Sequence, residues 1–70
     1  MVEDGTVEKY NGSIGEILLD DNTTRVTFNK GCIIGDTAIS VGDRVHVVYG
    51  YTHSDHLLGG PIATSVEKAA

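Results

Sequence analysis

Two runs of mixed polar and apolar residues, Gly5 to Tyr10 and Ser13 to Asp20, are joined by Asn11-Gly12, and this arrangement limits what the chain can fold into. Asn-Gly between such runs is a strong short-range hairpin signal, because both residues tolerate positive φ. Gly15 lies inside the second run. A glycine there marks a bulge, a bend or a close backbone approach. Two bent strands joined by a tight turn begin the curl of a small barrel. Val7, Ile14, Ile17 and Leu18 are expected to face a core, which leaves Glu8, Lys9, Asn11 and Glu16 for solvent or a ligand.

The rest of the chain continues the pattern. Asp20 to Thr24 reads as a polar turn, and Arg25 to Asn29 alternates with period two, placing Val26 and Phe28 inward and Thr27 and Asn29 outward. Lys30 to Asp43 is broken by Gly31, Gly35 and Gly42 and has no room for a long helix. Its Cys32, Ile33, Ile34 and Ile39 are too apolar for a free loop, so the segment is expected to cover one end of the core. Val41-Gly42-Asp43 forms a turn into a fourth strand, Arg44 to Tyr51, with Val45, Val47 and Tyr49 on one face. Thr52 to Gly60 is a long polar loop. Pro61 then suits the start of a fifth strand, in which Ile62, Thr64 and Val66 alternate with Ala63 and Ser65. Three strands, a crossing connection and two more strands imply an all-β, five-stranded antiparallel Greek-key barrel. Closure also removes the exposed edges that an open sheet would leave.

At 70 residues the chain is expected to be one domain, residues 1–70, that buries roughly 60% of its unfolded surface. Its net charge of -5 weakens any purely electrostatic case for phosphate binding, since Lys9, Arg25, Lys30, Arg44 and Lys68 are scattered along the sequence. The lone Cys32 forms no intramolecular disulfide and points to a reducing compartment, here the cytoplasm. Met1 to Asp4 carries no signal-peptide pattern, and no apolar run is long enough to span a membrane. Asn11-Gly12-Ser13 and Asn22-Thr23-Thr24 fit a glycosylation pattern but read here as turns.

Five stretches in their order resemble the cold-shock domain family, the small form of the OB-fold. They are Gly5-Thr6-Val7-Glu8-Lys9-Tyr10-Asn11, Ile14-Gly15-Glu16-Ile17, Arg25-Val26-Thr27-Phe28-Asn29-Lys30, Val41-Gly42-Asp43-Arg44-Val45 and Gly60-Pro61-Ile62-Ala63-Thr64-Ser65-Val66. The resemblance covers nearly the whole chain and implies binding of single-stranded RNA or DNA on the face of strands 1 to 3, where the family stacks bases on aromatic rings. Aligned on the glycines, the family's aromatic positions hold Lys9, Ile14, Glu16, Thr27, Lys30 and Asp36 here, and its histidine position holds Asn29. Tyr10 alone keeps an aromatic. Each base–aromatic stack contributes about 1–3 kcal/mol, so losing three or four removes roughly 3–12 kcal/mol and leaves weak binding. The residues expected to make that contact are Tyr10 as the stacking ring, Lys9 and Lys30 against phosphates, and Thr27 and Asn29 at base edges.

A second reading makes the barrel a scaffold for a protein partner, contacted through Thr52 to Gly60 and the apolar Val48, Tyr49, Tyr51, Leu57 and Leu58 beside it. Other constellations carry less. His53, Asp55 and His56, with His46, offer metal-ligating groups without motif spacing, so no metal and no cofactor are expected. Asp20-Asp21-Asn22 lacks the twelve-residue calcium pattern. Cys32 beside Ile33 and Ile34 reads as buried and inert. No catalytic motif is present, and the chain is not expected to be an enzyme. It would act as a monomer or as a module of a larger protein.

Overall fold

A computed structural model describes residues 1–35, 38–50 and 60–69. It contains five strands, β1 Val2–Tyr10, β2 Ile14–Leu19, β3 Arg25–Asn29, β4 Arg44–Gly50 and β5 Ile62–Lys68, with one 3-10 turn at Lys30–Cys32. They close into a barrel in the order β1-β2-β3-β5-β4. The junctions are antiparallel except β3 with β5, which is parallel and short, with Thr27 opposite Ile62. There the Thr27 N–H donates to the Pro61 carbonyl at 3.1 Å. Beyond it the chain after the 3-10 turn extends the same edge. Ile33 bridges Val66, and the Ile34 N–H donates to the Val66 carbonyl at 2.8 Å.

The barrel is filled by Val7, Ile17, Leu19, Val26, Phe28, Ile39, Val45, Val47, Tyr49, Ala63 and Val66. Fully burying a side chain of the Val, Leu or Phe type contributes about 1.5–3 kcal/mol, so this cluster supplies most of the drive to fold. Two glycines let the strands wrap it tightly. A Cβ on Gly5 would lie 2.7 Å from Ile17 Cγ2, and one on Gly15 would lie 2.4 Å from the Lys9 carbonyl oxygen and 2.6 Å from the Phe28 ring. Close approach is therefore the reason for the glycine within β2. Ile39 is buried and Ile33 packs against the core, so the connecting segment covers it as expected. Ile34 does not take part and is exposed.

Several inward positions differ from the sequence reading. On β2 the buried row is Gly15, Ile17 and Leu19, so Ile14 turns outward at 57% exposure and Leu18 is half-buried. Gly15 takes the inward place because Phe28 fills the space opposite. Strand β1 begins earlier, at Val2, because Val2, Glu3 and Asp4 pair with Val48, Val47 and His46 of β4. A register shift between Val7 and Lys9 leaves Glu8 as an extra residue, which turns Lys9 outward. On β5 the register jumps between Val48 and Tyr49, which face Ser65 and Ala63. Thr64 is the extra residue, its hydroxyl donating to the Val48 carbonyl at 3.2 Å. Ala63 and Val66 are therefore both buried, although simple alternation puts them on opposite faces. Tyr51, Thr52 to Gly59 and the histidines His53 and His56 lie outside the described residues.

Candidate functional site

The β1–β2 turn works differently from an Asn-Gly turn with two positive φ values. Gly12 has φ 94°, whereas Asn11 acts through its side chain. Asn11 Oδ1 accepts from the Ser13 and Ile14 N–H groups at 2.8 and 2.9 Å. An Asn side chain bonded to the backbone two residues on is a turn in itself. The Lys30 N–H donates to the Ser13 carbonyl at 2.8 Å, so the end of β3 is tied to this turn. Lys9, Tyr10, Thr27, Asn29 and Lys30 are thereby gathered at one end of the three-stranded face.

An open groove of about 350 Å³ runs across that end, lined by Lys9, Tyr10, Asn11, Ile14, Gly15, Glu16 and Thr27. Across its floor Lys9 pairs with Glu16 and Glu16 with Thr27, so these three side chains form one outward row. The next row is Tyr10, Gly15 and Phe28. Because Gly15 has no side chain, the Tyr10 ring reaches over it to Phe28, with centroids 5.2 Å apart and planes tilted by 32°. Tilted aromatic pairs of this kind add about 0.5–1.5 kcal/mol beyond area burial. Tyr10 is thus half-buried, fixed on the core by one face and open to the groove.

Asn29 is exposed, but its Oδ1 is turned to the 3-10 turn, where the Cys32 thiol approaches it at 3.6 Å. That thiol also donates to the Ala63 carbonyl at 3.2 Å. Cys32 is half-buried, less enclosed than its apolar neighbours implied. Ile14, Glu16, Asn11 and Gly15 complete the groove beyond the five residues singled out from sequence. For Ile14 the signal was available: with Gly15 inward, strand alternation sends Ile14 outward.

The cations divide into two groups. Arg25 Nε donates to Glu8 Oε1 at 2.9 Å, and Arg44 forms a two-pronged pair with Asp20 at 2.6 and 2.7 Å while also reaching Thr6 Oγ1. The Arg44 guanidinium holds the Asp20 carboxyl below the usual carboxylate range, and Asp20 in turn raises Arg44. Lys68 pairs with Asp43 at 3.4 Å. Lys9 and Lys30 make no ion pair among the described residues. Arg25 and Arg44 are thus engaged, whereas the two lysines remain available. His46 is exposed, with Nδ1 2.5 Å from Asp4 Oδ1. No group of three or more metal-ligating side chains occurs among the described residues.

The solved Drosophila Unr CSD456 structure, a cold-shock domain structure, superposes on the whole of this chain with a TM-score of 0.78. This chain has the cold-shock form of the OB-fold. The sequence is 15% identical to that structure and spans 27% of its chain. No family model and no curated protein matches the sequence. No helix among the described residues is long and apolar enough to cross a membrane.

Proposed function

We propose that this cold-shock barrel, residues 1–70, binds single-stranded nucleic acid weakly through the end of the β1–β3 face, with RNA favoured over DNA. One observation supports the reading: Tyr10 and Lys9 line the same groove, and the backbone of Lys30 is tied to the adjoining turn at Ser13. One aromatic platform and two unpaired cations are the minimum set for stacking a base while neutralising its phosphates. Thr27 offers a hydroxyl in the groove, and Asn29 is exposed beside it at the end of β3. Weakness follows from having a single ring where stacking contributes about 1–3 kcal/mol per base. The domain has no catalytic role in this reading and works in the cytoplasm, alone or as a module of a larger protein.

The test is a double variant, Tyr10→Ala with Lys30→Glu, titrated with short single-stranded RNA. Loss of binding supports the assignment, and unchanged affinity refutes it. A second reading, a protein-contact surface, draws on a different place. Val2 and Val48 are cross-strand partners on the outer face of β1 and β4, exposed at 70% and 38%. Partner capture that survives Val2→Ser with Val48→Ser removes that alternative.

A further inference from the structure

Stacking and phosphate neutralisation leave Glu16 without a task. Its side chain is half-buried at the centre of the outward row, between Lys9 and Thr27, in the floor of the groove. Among the described residues five carboxylates are engaged: Glu8 with Arg25, Asp20 with Arg44, Asp4 with His46, Asp43 with Lys68, and Asp21 with Thr23 and Thr24. Glu16 accepts no hydrogen bond and forms no ion pair among the described residues. Even its cross-strand neighbour Lys9 forms no ion pair with it. A carboxylate is acceptor-only, and half-buried beside the Tyr10 ring and the exposed Ile14 it calls for donors.

The four bases differ in what they can offer two carboxylate oxygens. Uracil and thymine present one ring N–H flanked by two carbonyls, which the carboxylate repels. Adenine and cytosine present an amino group beside an unprotonated ring nitrogen, so one oxygen is matched and the other opposed. Guanine alone carries two donors side by side, N1–H and the N2 amino group. Both carboxylate oxygens are then satisfied, as in other bidentate pairings with base edges. A groove of about 350 Å³ is at the small end of ligand pockets and is large enough for a planar base.

We propose that the groove selects a guanine in single-stranded nucleic acid, with Glu16 accepting from its N1–H and N2 amino groups while Tyr10 stacks on the ring. The proposal rests on the nucleic-acid reading above and adds base selectivity to it. Lys9 offsets the cost of placing a carboxylate near phosphates.

The test uses short oligouridines carrying one central guanine, inosine, adenine, cytosine or uracil, titrated against the whole chain. The guanine oligonucleotide should bind about tenfold tighter than the uridine one, as a bidentate base contact allows. Inosine, which lacks the N2 amino group, should fall between them. Glu16→Gln should flatten the series while leaving the amide spectrum folded. Equal binding of all oligonucleotides, or a guanine preference that survives Glu16→Gln, overturns the guanine proposal and leaves nucleic-acid binding standing. Binding of none overturns both.

Discussion

Replacing Gly15 by alanine places one methyl group where the barrel has least room for it. The new Cβ would lie 2.4 Å from the Lys9 carbonyl oxygen and 2.6 and 2.7 Å from two Phe28 ring carbons. Neither neighbour yields easily, since one belongs to the backbone of β1 and the other is fully buried. Overpacking of this kind costs about 3 kcal/mol. The lower entropy of the unfolded alanine chain returns less than about 1 kcal/mol. The net loss is about 2–3 kcal/mol, against a total stability of about 4–10 kcal/mol for a domain this size. Thermal unfolding by circular dichroism should show Tm lowered by about 8–20 °C. Gly12→Ala is the comparison: φ is 94° but nothing lies within 4 Å, so only backbone strain of about 1 kcal/mol remains. A Gly15→Ala chain that melts within about 3 °C of the parent, or no lower than Gly12→Ala, would show that close packing over Phe28 is not what holds this end of the barrel together.

Three further predictions follow from the same structure. If Lys9 and Lys30 each neutralise one phosphate, log affinity for single strands should fall with log salt at a slope of about -1.4, and each Lys→Ala should reduce it by about 0.7; a slope near zero would show that neither meets a phosphate. Tyr10→Phe should retain oligonucleotide binding and Tyr10→Ala should lose it, because the proposed contact is made by the ring; equal loss in both would refute the stacking role. Asp20, Asp21 and Asp43 have carboxyls held below their ordinary value by Arg44, by Thr24 and Thr23, and by the Ser40 N–H. Because the unfolded chain binds those protons more readily, their stabilisation is present above about pH 4 and is lost as pH falls through the lower folded values. Urea midpoints should drop below about pH 4, and less steeply in Asp43→Asn than in the parent.

What the sequence revealed depended on whether a local rule met an uninterrupted strand. Strand β3 was fully legible, because Val26 and Phe28 alternate with Arg25, Thr27 and Asn29 and no bulge disturbs them. Strand β5 was placed correctly, but its alternation was not uninterrupted, since the extra residue at Thr64 brings Ala63 and Val66 to one face and no residue type announces a bulge. The start of β1 was hidden because Glu3 and Asp4 are poor strand residues in isolation; pairing with β4 overrides that preference. At the site, Lys9, Thr27 and Lys30 stood out as exposed polar groups. The orientation of Asn29 did not, because it follows from the Cys32 thiol and the 3-10 turn. Nor could the sequence separate free from paired cations. Arg25 finds Glu8 across β2 and Arg44 finds Asp20 across β1, 17 and 24 residues away along the chain, so both pairs depend on strand neighbours that the sequence does not print.

The most direct measurement is an amide chemical-shift titration of labelled protein with short single-stranded RNA at low and moderate salt. Shifts centred on Lys9, Tyr10, Glu16, Thr27, Asn29 and Lys30 that shrink as salt rises are the predicted result. An absence of shifts at millimolar oligonucleotide, or shifts confined to the Val2–Val48 side of the barrel, would contradict it.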